Sequence, residues 1–142
     1  MSDHFVRPDV QALLDMLNAQ AGPKMHELSA TEARGMMTVM GAMAEEELGD
    51  LAVVRDLSIP GPAGAIPARL YDARDSRGAG PVMVFYHGGG FVIGDLDIYG
   101  PYCAEVSRQL DMPVISIDYR LAPEHRFPAG LDDCVEAHKW MV

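Results

Sequence analysis

Apolar residues recur at helical spacing over the first 43 residues, then gather from residue 51 into short alternating or continuous runs. Val10, Leu13, Leu14 and Leu17 share one face of a helix that Pro8 and Asp9 open and Gly22-Pro23 stops. A second helix starts at Ser29, with Glu32 as its capping-box partner and Met36, Met40 and Met43 on a common apolar face. Gly35 and Gly41 weaken that helix, so it must lean on tertiary packing. Val53 to Ile59 reads as a strand, Gly61-Pro62-Ala63-Gly64 as a turn, and Ile66 to Tyr71 as the returning arm of a hairpin. Pro81 to Tyr86 and Pro113 to Ile117 are nearly continuous apolar runs, the pattern of strands buried on both faces. Between them Tyr102 to Leu110 is helical, with Cys103, Val106 and Leu110 on one side. Such a strand–helix–strand unit pairs its strands in parallel. A last helix begins near Pro128 and sets Leu131, Cys134, Val135, His138 and Met141 on one face, with Asp132 and Asp133 in its acidic first turn. It runs to Trp140-Met141-Val142 without a glycine cap, which points to a chain that continues.

The order of elements is that of an α/β domain, and 142 residues can bury a real core. A hydrophobic share of 49% beside 23% charged residues fits a soluble globular protein, and the apolar runs are too short for a membrane span. A net charge of −10 argues against nucleic acid as a partner, since phosphate binding needs a basic surface. Met1-Ser2-Asp3-His4 lacks a secretory start, and Cys103 and Cys134 form neither a disulfide framework nor a metal-ligand spacing. A cytoplasmic chain with two buried, inert thiols is expected, with no metal and no cofactor. Seven of the ten methionines fall in the first 43 residues; they serve either as ordinary packing or as a flexible lining for acyl groups.

The chemistry concentrates at His87-Gly88-Gly89-Gly90-Phe91, directly after a buried strand. Consecutive glycines let the backbone turn tightly and point unshielded N–H groups into one concavity. Such a concavity can hold the oxyanion that forms when an ester carbonyl is attacked. The second segment is Asp118-Tyr119-Arg120-Leu121-Ala122-Pro123-Glu124-His125-Arg126-Phe127-Pro128-Ala129, which leaves the next strand.

Together these two segments resemble the hormone-sensitive-lipase-like family of α/β-hydrolases, whose members show H-G-G-G-F/W followed by D-Y-R-L-A-P-E-x-x-F-P-A. The resemblance runs from about residue 50 to the end of the chain, and the first two helices look like the start of that family's cap. It implies the N-terminal part of an α/β-hydrolase fold, a mostly parallel sheet with flanking helices. Cap helices would occupy residues 1–48 and half of the core residues 49–142. It also implies that Gly88, Gly89 and Gly90 form the oxyanion hole, the amides of Gly89 and Gly90 donating while Gly88 shapes the turn. His87, Phe91, Asp118, Arg120 and Glu124 would support that loop, the charged ones through ion pairs or hydrogen bonds. The resemblance marks Ala122-Pro123 and Phe127-Pro128 as candidate cis bonds. The implied activity is hydrolysis of short- to medium-chain carboxylic esters through a serine acyl-enzyme.

The resemblance is incomplete in one respect. A hydrolase of this type needs G-x-S-x-G, then an acid, then a histidine. None of Ser2, Ser29, Ser58, Ser76, Ser107 and Ser116 has that glycine context, and His125 and His138 precede any such acid. The triad is therefore expected outside this chain, on a missing C-terminal portion or a second polypeptide, with a homo-oligomer also open. Two other readings compete. One is a non-catalytic truncated hydrolase that acts as an interaction module. The other is a dinucleotide-binding enzyme, for which Gly88, Gly90 and Gly94 give a weak glycine spacing and Asp118 ends the next strand.

Overall fold

A computed structural model describes residues 5–19, 22–43 and 47–142; Met1-Ser2-Asp3-His4 and the side chain of Met43 lie outside the described part. Helices α1 (Pro8–Ala19) and α2 (Ala30–Met43) come first, then the hairpin β1 (Val53–Gly61) and β2 (Gly64–Asp72). β3 (Met83–Tyr86), α3 (Gly100–Leu110), β4 (Val114–Ile117) and α4 (Ala129–Met141) complete the chain. The strands form one mixed sheet in the order β1-β2-β4-β3. β1 pairs β2 and β2 pairs β4 antiparallel, whereas β3 and β4 run parallel, as their connection through α3 requires.

Helices cover both faces of this sheet. On one face Ile59, Ile66, Ala68, Ile115 and Ile117 pack with Ala137 of α4. On the other, Tyr71 and Val114 pack with Cys103 and Ala104 of α3. All four residues of β4 are buried, as its continuous apolar run predicts. Burial of side chains such as Ile59 and Ile117 stabilises the fold by roughly 1.5–3 kcal/mol each. Among the described residues β3 is paired on one edge only, and Val82, Met83 and Tyr86 are 37–38% exposed there.

The helix boundaries match the pattern, but the buried faces differ. The capping box of α2 is present: the Ser29 amide donates to the Glu32 carboxylate at 2.8 Å, and the Glu32 amide donates to Ser29 Oγ at 3.3 Å. Yet Ala33 is the residue α2 buries, while Met36 and Met40 are 36% and 48% exposed. In α1 the stripe Val10, Leu13, Leu14 and Leu17 is 40–51% exposed.

α4 is rotated relative to its apolar stripe. Gly130, Asp133 and Ala137 are buried, Leu131 and Val135 are 46% and 44% exposed, and His138 is exposed. The reason is Asp133, whose carboxylate accepts from the Arg120 amide at 3.0 Å, from Nε at 2.8 Å and from Nη2 at 2.8 Å. A buried carboxylate must keep such partners, and this need outweighs the gain from burying Leu131 or Val135. Gly130 allows the close approach, because a Cβ there would lie 2.7 Å from the Arg120 carbonyl oxygen.

Removing one partner of such a pair strands the other. Asp133→Ala is expected to lower stability by about 3–5 kcal/mol. A urea unfolding series checks this, and Leu131→Ala on the exposed side of α4 should cost far less.

Candidate functional site

Both motifs leave the same end of the sheet. The parallel register pairs Tyr86 with Ile117, so His87 and Asp118 follow side by side. The His87 ring is 3% exposed and stacks on Tyr119 at 4.3 Å between centroids and 14° between planes; Tyr99 lies 5.5 Å away on a near-parallel plane. The Tyr119 hydroxyl donates to the His87 carbonyl at 2.5 Å. Burial pushes the Tyr119 phenol up to about 12, so it remains a donor at any ordinary pH. His87 Nδ1 lies 2.8 Å from the Gly88 carbonyl oxygen, an acceptor, which assigns the ring proton to Nδ1. Nε2 is buried without a hydrogen-bond partner among the described residues.

Beyond His87 the loop doubles back. The Gly89 carbonyl accepts from the amides of Val92 at 3.0 Å and Ile93 at 3.1 Å. Gly89 sits at φ +125°, and a Cβ there would lie 2.0 Å from the Ile93 carbonyl oxygen. Gly90 follows at φ +62°, and Phe91 keeps a left-handed φ of 60°. Phe91 is held on one side by its ring contact with Tyr119 and on the other by its carbonyl, which accepts the Ala122 amide at 2.7 Å. Among the described residues the amides of Gly88, Gly89 and Gly90 donate to no acceptor. Gly88 and Gly90 are exposed and Gly89 is partly so, which places these unpartnered N–H groups on a solvent-exposed turn.

The segment after β4 carries the supports. Arg120 pairs with Asp133, and its Nη2 also donates to the Ala129 carbonyl at 3.2 Å. Glu124 accepts from Nη1 and Nη2 of Arg34, both at 2.8 Å, in a bidentate pair. Arg34, on α2, also donates from Nε to the Val92 carbonyl at 2.8 Å and from Nη2 to the Ala122 carbonyl at 2.9 Å. The Ala122-Pro123 and Phe127-Pro128 bonds are both cis.

Of the two kinds of support expected of Asp118, ion pair or hydrogen bond, a hydrogen bond from its backbone is present. Its amide donates to the Pro67 carbonyl at 2.9 Å, but its carboxylate has no ion-pair partner among the described residues. Burial holds that carboxyl above its ordinary range; Asp95 and Asp97 reinforce the shift, and His87 and Arg69 oppose it. Asp133, not Asp118, is the acid on Arg120. A cleft of about 490 Å³ lies on this supporting side, lined among others by Arg34, Gly94, Asp118 and Glu124, and not by Gly88, Gly89 or Gly90.

Three residues escaped the sequence reading. Asp133 sat in an acidic first turn, where a helix-dipole role explains it equally well. Tyr119 lay inside a quoted motif without a task. Arg34 stands 58 residues from Val92 and 90 from Glu124, so no local pattern announced it. Among the described residues no group of three or more His, Cys, Asp or Glu is arranged around a metal position, and no helix is long and apolar enough to cross a membrane. The dinucleotide layout is not formed: residues after the glycines make turns, and α3 starts only at Gly100, so no helix opens within the glycine run.

A sequence profile described as alpha/beta hydrolase fold matches residues 83–142. The ethyl acetate hydrolase of Pseudomonas putida is 35% identical over 96% of this chain and 45% of its own length. The carboxylic ester hydrolase LipN of Mycobacterium tuberculosis is 55% identical over 87 residues, which are 61% of this chain and 23% of that protein. Among solved structures, a hyperthermophilic esterase from the archaeon Pyrobaculum calidifontis superposes with a TM-score of 0.85 at 34% identity, covering 96% of this chain and 43% of its own. An ester hydrolase from the Lake Arreo metagenome, in complex with a bipyridine phosphonate derivative, gives 0.86 at 34% identity, with coverage of 95% and 44%. The chain thus spans less than half the length of these relatives.

The Arg34–Glu124 pair makes stability depend on pH. Arg34 holds the Glu124 carboxyl down at about 2. A folded-state value below the unfolded one, about 4.3 for Glu, means that the contribution is present above that value and lost as pH falls toward 2. The stability difference between the wild type and Glu124→Gln is therefore expected to shrink from pH 6 to about pH 2. Urea midpoints measured across that range check it.

Proposed function

Since the chain belongs to the α/β-hydrolase fold family, in its hormone-sensitive-lipase-like branch, we propose that it supplies the oxyanion-binding part of a serine carboxylic ester hydrolase. The observation that carries this reading is the shelf of unpartnered Gly88, Gly89 and Gly90 amides, braced from beneath by His87, Tyr119 and Phe91.

The chemistry follows from that shelf. A serine hydroxyl adds to the ester carbonyl carbon as a histidine takes its proton, and the carbonyl oxygen becomes an oxyanion. The Gly89 and Gly90 amides donate to that oxygen, with Gly88 shaping the turn. The tetrahedral species collapses, the C–O bond to the alcohol breaks, and the histidine returns its proton to the leaving alkoxide. Water then hydrolyses the acyl-serine by the same route in reverse. Fixed dipoles aimed at the developing charge lower the barrier because they need no reorganisation during the reaction. No metal or cofactor has a part in these steps. Serine, acid and histidine come from beyond these residues, since none of the six serines has the elbow context.

Residues 1–48 act as cap helices and 49–142 as half of the catalytic core. The open edge of β3, with Val82, Met83 and Tyr86 exposed, and the uncovered Leu131 and Val135 of α4 support a further strand and helix seated there. These belong to the remaining portion of the protein or to a second polypeptide. The substrates are esters of short to medium acyl chain, met in the cytoplasm, where free thiols such as Cys103 and Cys134 persist.

Replacing the Gly90 amide by an ester linkage through semisynthesis removes one N–H and adds no side chain at the φ +62° position. In the complete protein this change is expected to lower kcat on p-nitrophenyl butyrate by about 10²–10³. Unchanged turnover removes the oxyanion assignment, and a complete protein that hydrolyses no ester favours the non-catalytic module instead.

Residues 1–142 alone are expected to take no label from an organophosphonate probe and to self-associate through the β3 edge. Intact mass and light scattering read both. Stoichiometric labelling of any serine in this fragment, or a monodisperse 15.4 kDa species, contradicts the expectation.

A further inference from the structure

We infer that Arg34 is a positioning residue that locks the oxyanion loop to helix α2, so that the placement of α2 sets where the glycine amides point. The inference rests on the esterase reading for its catalytic consequence, but the lock itself is a matter of geometry.

One guanidinium makes four hydrogen bonds to three residues on two separate pieces of chain, the glycine loop and the segment after β4. Nε donates to the Val92 carbonyl, Nη2 to the Ala122 carbonyl, and both terminal nitrogens to the Glu124 carboxylate. Val92 is the residue whose amide closes the turn onto the Gly89 carbonyl. Ala122 is the residue whose amide holds the Phe91 carbonyl. Arg34 therefore grips both sides of the backbone bond that, among the described residues, joins the glycine turn to the segment after β4. Glu124 sets the plane of the guanidinium, and the plane sets the direction of the other two donations. A lysine has no planar fork and cannot satisfy two carbonyls and a carboxylate in these directions.

The other end of the linkage is α2. Arg34 follows Ala33, the residue α2 buries, so a shift of the helix is carried directly into the Val92 carbonyl. On the far side of the glycines the loop is anchored by the Tyr119 bond to His87. Gly89 and Gly90 are thus suspended between a core anchor and a helix anchor. Releasing the helix anchor lets the amides swing by a fraction of an ångström to an ångström, and misplacement of that order costs about 10²-fold in rate.

The test compares Arg34→Lys, Arg34→Ala and, as a control on the exposed pair with Asp9, Arg7→Ala in the complete protein. Sites are counted by phosphonate titration, so that unfolded molecules drop out. For Arg34→Lys, kcat per titrated site on p-nitrophenyl butyrate is expected to fall about ten- to hundredfold, with KM changed less than about twofold. The inhibition constant of a trifluoromethyl ketone, which forms an oxyanion on the serine, should rise by the same factor. Hydrogen exchange at residues 88–93 should accelerate while β4 stays protected. Arg7→Ala should match the wild type in all three. If Arg34→Ala fails to fold, Arg34→Lys decides. A lower melting temperature with kcat per site, inhibitor affinity and loop exchange all unchanged would falsify the lock. If the wild-type protein hydrolyses no ester but exchange still accelerates in Arg34→Lys, the esterase reading falls and the lock stands. If neither activity nor exchange responds, both fall.

Discussion

The bond from the Tyr119 hydroxyl to the His87 carbonyl, backed by the stack of the two rings, is the contact on which the rest of the site hangs. A run of three glycines has no stiffness of its own, because each residue visits most of the backbone map at little cost. An array of amides useful to a developing charge must nonetheless be immobile before the charge appears. Rigidity therefore has to be imported from outside the loop. Tyr119 and Ala122 lend it from the segment after β4, and they attach at His87 and Phe91, the residues just before and just after the glycines. Among the described residues the glycine amides meet no protein acceptor, which is the condition for donating to anything else.

That segment in turn needs an anchor, and helix α4 provides one through the ion pair of its Asp133 with Arg120. Arg120 and Asp133 fix the chain as it passes from β4 to α4, and the pair turns α4 away from its most apolar stripe. The arrangement leaves Leu131 and Val135 uncovered within these residues, a burial worth roughly 1.5–3 kcal/mol each that the further helix proposed at α4 would supply. A partly buried ion pair adds little net stability by itself. What it contributes is direction: three hydrogen bonds on one carboxylate define a single orientation of the helix start, where apolar contact would tolerate several.

These two features explain which parts of the molecule were legible in the sequence. Strand positions, the hairpin turn at Pro62-Ala63, the capping box at Ser29 and the helix limits all follow from local spacing, and the structure has them. So does the glycine turn, whose conformation depends on residue type at adjacent positions. The buried face of α4 was not legible, because the apolar stripe and Asp133 made competing demands and only the location of Arg120 decides between them. The same holds for α2. Met36 and Met40 carry the stronger hydrophobic signal, but the helix is oriented by Ala33 and by Arg34, whose partners lie in distant loops. For Asp118 the motif left ion pair and hydrogen bond open, and among the described residues it is the backbone amide that makes the contact, donating to the Pro67 carbonyl.

The meeting of the two motifs is itself a consequence of strand direction. Because β3 and β4 are parallel and in register from Met83↔Val114 to Tyr86↔Ile117, the residues that follow them emerge side by side at one end of the sheet. Ligand-binding loops collect at the carboxyl ends of parallel strands for the same reason. An antiparallel pairing would have sent His87 and Asp118 to opposite ends, roughly the length of the strands apart. The α3 crossover that enforces parallel pairing is held by Cys103 and Ala104 against Tyr71 and Val114, and by the Ser107 hydroxyl donating to the Tyr71 carbonyl at 3.2 Å. Core residues on the face away from α4 thus determine that a glycine turn and its brace share one end of the sheet. The polar site is in this sense the product of apolar packing, through the single topological choice that packing makes.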